Sequence, residues 1–125
     1  MPVTSHELPN RPTSLVVVRT AHRTTYPNPI RLRIGDAVVV QRADDEYPGW
    51  HWCTGPDGAE GWVHESCLST TTSPAAAVRD YSAVELTVAG GERGRVLETL
   101  GDWAYIQLED SRVGWIPSKN IEVIA

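Results

Sequence analysis

The chain has 125 residues, a formal net charge of −5, 41% hydrophobic residues, nine Pro, ten Gly and no Phe. The acidic balance speaks against nucleic-acid binding, which needs a clustered basic face; Arg31 and Arg33 are soon followed by Asp44-Asp45-Glu46. No run approaches the ~20 apolar residues that cross a bilayer, and no basic segment followed by an apolar run opens the chain.

Residues 1–14 hold Pro2, Pro9 and Pro12 among polar neighbours and read as a flexible tail. Leu15 to Val18 is a short apolar run, taken as the first strand. Residues 22–29 carry two prolines and read as a long loop. Ile30 to Ile34 alternates apolar and polar, as a half-buried strand does. Gly35-Asp36 turns the chain into a strand over 37–41, and an acidic loop over 43–49 follows. Trp50 to Thr54 and Glu60 to Val63 form a hairpin about Gly55-Pro56-Asp57-Gly58, and residues 64–67 make one short helical turn before Leu68. Ser69 to Pro74 is the clearest composition break and reads as a linker. Strands are then expected over 76–79, 85–88, 95–98, 103–108, 114–116 and 121–124. No span keeps a helical apolar period for three turns.

The chain repeats itself. Adding 53 to a position in the stretch from Trp50 to Leu68 lands on its counterpart between Trp103 and Ile121: Trp50 meets Trp103, Gly61 meets Gly114, Trp62 meets Trp115. A fixed offset with matched aromatics marks one structural unit used twice. The expected fold is all-β: two small five-stranded barrels in tandem, over 15–69 and 75–125. Each unit of about 55 residues is near the lower size for independent folding.

From Ala77-Val78-Arg79-Asp80-Tyr81 through Gly91-Glu92, Gly101-Asp102-Trp103 and Gly114-Trp115-Ile116-Pro117-Ser118, the second copy resembles a Src homology 3 domain from end to end. The first copy resembles it through Gly35-Asp36, Trp50 and Gly61-Trp62-Val63. Together the two cover about 110 residues. The resemblance implies barrels of that type with a shallow aromatic groove for a polyproline II peptide and an acid that pairs with a basic anchor. It carries the groove to Arg79, Tyr81, Trp103, Pro117 and Asn120, with Glu85 as the acid. In the first copy it falls on Arg19, Ala21, Trp50, His64 and Cys67, with Tyr26 or Tyr47 able to refill the groove from the loops. Arg79 and Asn120 stand where the family has tyrosines, so the grooves are expected to be atypical for polyproline. The ligand-binding set is therefore Tyr81, Glu85, Trp103, Pro117 and Asn120 with Tyr26, Trp50 and His64.

Trp50 and Trp103 each open a strand after a loop, where an exposed indole offers large contact area at small entropy cost. Trp62 and Trp115 each follow a Gly in a central strand and read as packing residues. His51, Cys53, His64 and Cys67 invite a zinc reading, but their counterparts Ala104, Ile106, Pro117 and Asn120 bind no metal. Ile106 also marks Cys53 as a core residue; Cys67 should face the groove. His64 with Cys67 lacks an orienting acid, so neither catalysis nor a cofactor is expected.

The function expected is a cytoplasmic, non-catalytic adaptor that presents two aromatic-centred grooves to a protein or peptide. It would be a monomer or weak homodimer, with two free thiols and no nucleic-acid or membrane partner. Two alternatives stand beside it: a structural or dimerisation unit with the Trp faces packed together, and attachment to cell-wall peptide or glycan. Pro9-Asn10-Arg11-Pro12 offers a segment for docking in cis onto either groove, against the simpler reading of a disordered tail.

Overall fold

The computed structural model describes residues 14–24, 26 and 28–125; the 1–13 part of the expected tail, with its Pro9–Pro12 motif, lies outside the described residues. The described chain is all-β with two one-turn 3-10 helices. Its strands are β1 (Leu15–Val18), β2 (Arg31–Leu32), β3 (Ala37–Ala43), β4 (Trp50–Thr54), β5 (Glu60–His64) and β6 (Leu68–Ser69), then β7 (Ala75–Ala77), β8 (Tyr81–Ser82), β9 (Arg93–Leu100), β10 (Trp103–Leu108), β11 (Val113–Pro117) and β12 (Ile121–Val123). The 3-10 turns are Glu65–Cys67 and Ser118–Asn120. Among the described residues, no helix is long and apolar enough to cross a membrane.

The 53-residue offset holds in the ladders. Trp50 faces His64 and Trp52 faces Trp62; Trp103 faces Pro117 and Tyr105 faces Trp115. One five-stranded sheet runs β5-β4-β3-β7-β6 and the other β11-β10-β9-β1-β12. Strand for strand the orders correspond, with one exchange. The strand beside β9 and β12 is β1, and the strand beside β3 and β6 is β7.

Each opening strand thus completes the sheet of the other copy. The chain folds as two compact units, one comprising Met1–Thr24 with Glu85–Ala125 and the other Thr25–Val84. This partition differs from the expected division at 15–69 and 75–125. The Ser/Thr segment after Ser69 is not an inter-unit linker either. It joins β6 to β7, which pair antiparallel inside one unit, and the chain passes between units at 24–25 and 84–85. The expected closed barrels are also corrected. Both five-stranded sheets are open, because β11 and β12 end one order and β5 and β6 the other. A three-residue 3-10 turn separates those end strands in each unit.

The same turn registers the opening strand in both units. Gly35 N–H donates to Ala77 O at 2.7 Å and Ala77 N–H to Asp36 O at 2.9 Å. In the other unit Gly91 N–H donates to Val18 O at 2.7 Å and Val18 N–H to Glu92 O at 2.8 Å. Both glycines sit at positive φ, 93° and 95°, a conformation that Cβ-bearing residues rarely adopt. Val18 therefore corresponds to Ala77.

In the unit that holds Trp103, β1 inserts Val16 and Val18 among Leu86, Val88, Val96, Ala104, Ile106, Leu108 and Ile116. In the other, β7 offers only Ala75 and Ala77 beside Ile30, Leu32, Val38, Cys53 and Val63. That core is tight: a Cβ at Gly61 would lie 3.0 Å from both Ala83 Cβ and a methyl of Ile30. Small residues on β7 suit it, since overpacking costs about 1–3 kcal/mol.

Cys53 is fully buried, as its counterpart Ile106 led one to expect, and Cys67 is fully buried as well rather than facing a groove. The two are not joined in a disulfide. Burial pushes the Cys53 thiol up to about 11 from 9.0, because the thiolate would be desolvated.

Two outcomes follow. A fragment spanning 25–84 contains every strand of its own sheet and should unfold cooperatively by circular dichroism, whereas 15–69 lacks β7 and strands β1 without a partner sheet, and should show no thermal transition. Cys53 should resist alkylation at pH 8 in the native chain. Because its thiol titrates later folded than unfolded, it adds stability below pH 9 that is lost as pH rises towards 11; Cys53→Val should flatten that loss in urea titrations.

Candidate ligand-binding site

In the unit that holds Trp103, the site is built on the start of β10. Trp103 is half-buried, and its cross-strand neighbour Pro117 is buried at the entry to the 3-10 turn. The His22 ring stands edge-on to the indole, with centroids 5.7 Å apart and an interplanar angle of 81°. His22 lies four residues past Val18, as Tyr81 lies four past Ala77, so His22 is the structural counterpart of Tyr81. Backbone bonds between His22 and Val88, at 3.1 and 2.8 Å, hold it there.

His22 Nε2 meets Glu85 Oε1 at 3.1 Å, and the Glu85 side chain is only 9% exposed. The carboxylate expected to take a basic anchor is thus already engaged by an imidazole of the same unit. Asn120 is engaged too: its buried Nδ2 donates to Thr20 O at 3.0 Å and Ala21 O at 3.2 Å. It clasps the β1 arm against the 3-10 turn rather than offering its amide to a ligand. Arg112 lies in the turn at the far end of β10. Its guanidinium reaches Thr87 O at 3.0 Å, Glu92 at 2.5 Å and Asp110 at 2.8 Å. The Arg112 backbone N–H, and then its guanidinium, hold the Asp110 carboxyl below its usual value.

The corresponding place in the other unit is closed. Trp50 is only 3% exposed, against the expectation of an exposed indole. His64 occupies the position of Pro117 and stands edge-on to Trp50 with centroids 5.1 Å apart. Its Nδ1 accepts the Ser66 N–H at 3.2 Å, capping the 3-10 turn. Tyr81 is placed in this unit and not in that of Trp103. It is 7% exposed, and its hydroxyl donates to Trp62 O at 2.7 Å.

Tyr26 is exposed and leaves the Trp50 position for a neighbouring one. Its ring lies 5.1 Å from Trp52, and its hydroxyl accepts the Trp62 Nε1–H at 3.2 Å. Trp52 and Trp62 are half-buried cross-strand partners with centroids 5.1 Å apart. Arg42, exposed, places its guanidinium carbon 5.3 Å from one indole centroid and 5.4 Å from the other.

Of the eight candidate residues, Glu85, Trp103, Pro117 and Asn120 belong to one unit and Tyr26, Trp50, His64 and Tyr81 to the other. The sequence reading missed His22, Arg42 and the pairing of Trp52 with Trp62 as a surface. For the last, a signal was present: two Trp in hairpin register face each other across the turn. His51, Cys53, His64 and Cys67 form no metal-holding cluster among the described residues.

No curated protein matches the chain. A family model, the variant SH3 domain, matches residues 16–70, a span that begins on β1 in one unit and ends just past β6 in the other. The match likens this stretch, 55 of the 125 residues, to a variant SH3 domain, a kind of domain that serves in protein interaction.

Proposed function

We propose that the chain is a non-catalytic protein-interaction module whose peptide contact is centred on Trp103. The half-buried indole carries this reading. It has the His22 imidazole edge-on and Pro117 as its cross-strand neighbour, while the equivalent Trp50 is buried with His64 edge-on to it. A half-buried flat ring gives contact area with little rotamer entropy to lose.

The ligand is a peptide without a required basic anchor. Glu85 is nearly buried and bonded to His22, so an incoming Arg or Lys would have to displace an existing partner. The groove is thus atypical for proline-rich ligands flanked by basic residues. The second groove of the unit that holds Trp50 is structural: its indole fills space beneath His64.

A displayed peptide library selected against the full chain should yield binders that Trp103→Ala weakens by at least ~10-fold, the scale of a binding hot spot. His22→Tyr, which frees Glu85, should shift the selected peptides towards those carrying Arg or Lys. A library whose binders all tolerate Trp103→Ala, with the variant folded by circular dichroism, ends this reading.

A further inference from the structure

The unit that holds Trp50 presents a second surface, distinct from the covered groove. Tyr26, Trp52 and Trp62 form three contiguous rings on the solvent side of β4 and β5, joined by the Trp62 Nε1–H bond to the Tyr26 hydroxyl. The guanidinium of Arg42 lies over both indoles. We propose that this shelf is a recognition site for one carboxylate of a peptide segment, a Glu or Asp side chain flanked by an aliphatic or aromatic residue.

The guanidinium carries the argument. Arg42 is exposed and, among the described residues, no carboxylate pairs with it. The nearby acid Glu60 is taken by Gln41 at 3.0 Å, and Asp44 accepts the Glu46 N–H at 3.1 Å. An arginine stacked on two indoles has its long side chain fixed in advance, so a ligand need not order it. Its planar fork matches a carboxylate in a bidentate fashion. The rings beside it supply the apolar contact that a bare carboxylate lacks.

Charge narrows the choice of ligand. A single cation stands here, followed two residues later by Asp44-Asp45-Glu46 in a chain of net charge −5. A phosphate dianion, a nucleic acid or a polyacidic tract would meet repulsion from that loop, while one isolated carboxylate is balanced by one guanidinium. The site belongs to a different unit from Trp103, and the two readings can fail independently.

The test uses the full chain labelled with nitrogen-15 and two capped peptides, Ac-Ala-Leu-Glu-Leu-Tyr-NH2 and the same sequence with Gln for Glu. The five indole N–H resonances, assigned through single Trp→Phe variants, report the place of binding. The Glu peptide should shift the Trp52 and Trp62 signals saturably and bind at least ~5-fold more tightly than the Gln peptide, the scale of a half-exposed ion pair. Arg42→Gln should abolish that preference and Arg42→Lys retain part of it, with the Trp50 and Trp115 signals unmoved as a check on folding. Equal affinity for both peptides, shifts at Trp103 instead, no saturable shift up to ~5 mM, or a preference that survives Arg42→Gln would each overturn the proposal.

Discussion

The ladder of β1 with β9 and β12 is the constraint on which the arrangement of both units depends. It buries Val16 and Val18 in a core otherwise supplied by residues 86–116. A pairing between Leu15 and Arg95 closes a loop of about 80 residues, where pairing within its own copy would close one of about 20. Two doublings of loop length cost only about 1.2 kcal/mol. Full burial of one valine contributes about 1.5–3 kcal/mol. Side-chain volume therefore outweighs loop entropy. β7 fits beside β3 because its alanines suit a core that Ile30 and Ala83 already fill against Gly61. Exchanging the strands puts the larger pair where there is room and the smaller pair where there is not.

The ladder also decides which side chains meet at each Trp. Once Val18 is registered against Gly91 and Glu92, the next four residues carry His22 to the edge of Trp103. Tyr81, by the same count from Ala77, is carried to the back of Trp62. A sequence comparison that aligns the opening strands within each copy assigns both residues to the wrong indole. The chemistry changes with the assignment. A tyrosine beside Trp103 would leave Glu85 free for a cation, whereas the imidazole of His22 bonds it.

The hairpins were legible because their signal is local. Trp50, Gly61, Trp62 and Leu68 recur 53 residues later, and both cross-strand registers reproduce that offset. Short-range alternation and turn residues suffice for such elements. The partner of β1 was not legible, since Leu15-Val16-Val17-Val18 and Ala75-Ala76-Ala77 are both plain apolar runs and hydrophobic patterning does not name the strand that an edge will join. His22 was hidden for the same reason: the prolines at 27 and 29 marked its surroundings as a loop, although backbone bonds to Val88 hold it as firmly as a strand residue. Cys53 was placed correctly by the repeat, and Cys67 was not, because its counterpart Asn120 is itself buried.

Trp50 is buried and Trp103 half-buried, although their hairpin ladders match residue for residue, and the residue before each Trp differs. Gly49 precedes Trp50 with φ 88°, and a Cβ there would lie 3.0 Å from His64 Nε2. A side chain at this positive φ would be strained and would crowd the imidazole that lies against the indole. Its counterpart 53 residues on is Asp102, exposed before Trp103, and the residue across from Trp103 is Pro117. His64 lies edge-on to Trp50 in one unit, and His22 lies edge-on to Trp103 in the other. With Trp50 sealed, the unit's exposed aromatic area moves one cross-strand pair along, to Trp52 and Trp62, where Arg42 rather than histidine meets the rings. The two hairpins share one register, and the residue before each Trp and the residue opposite it decide what lies against the indole.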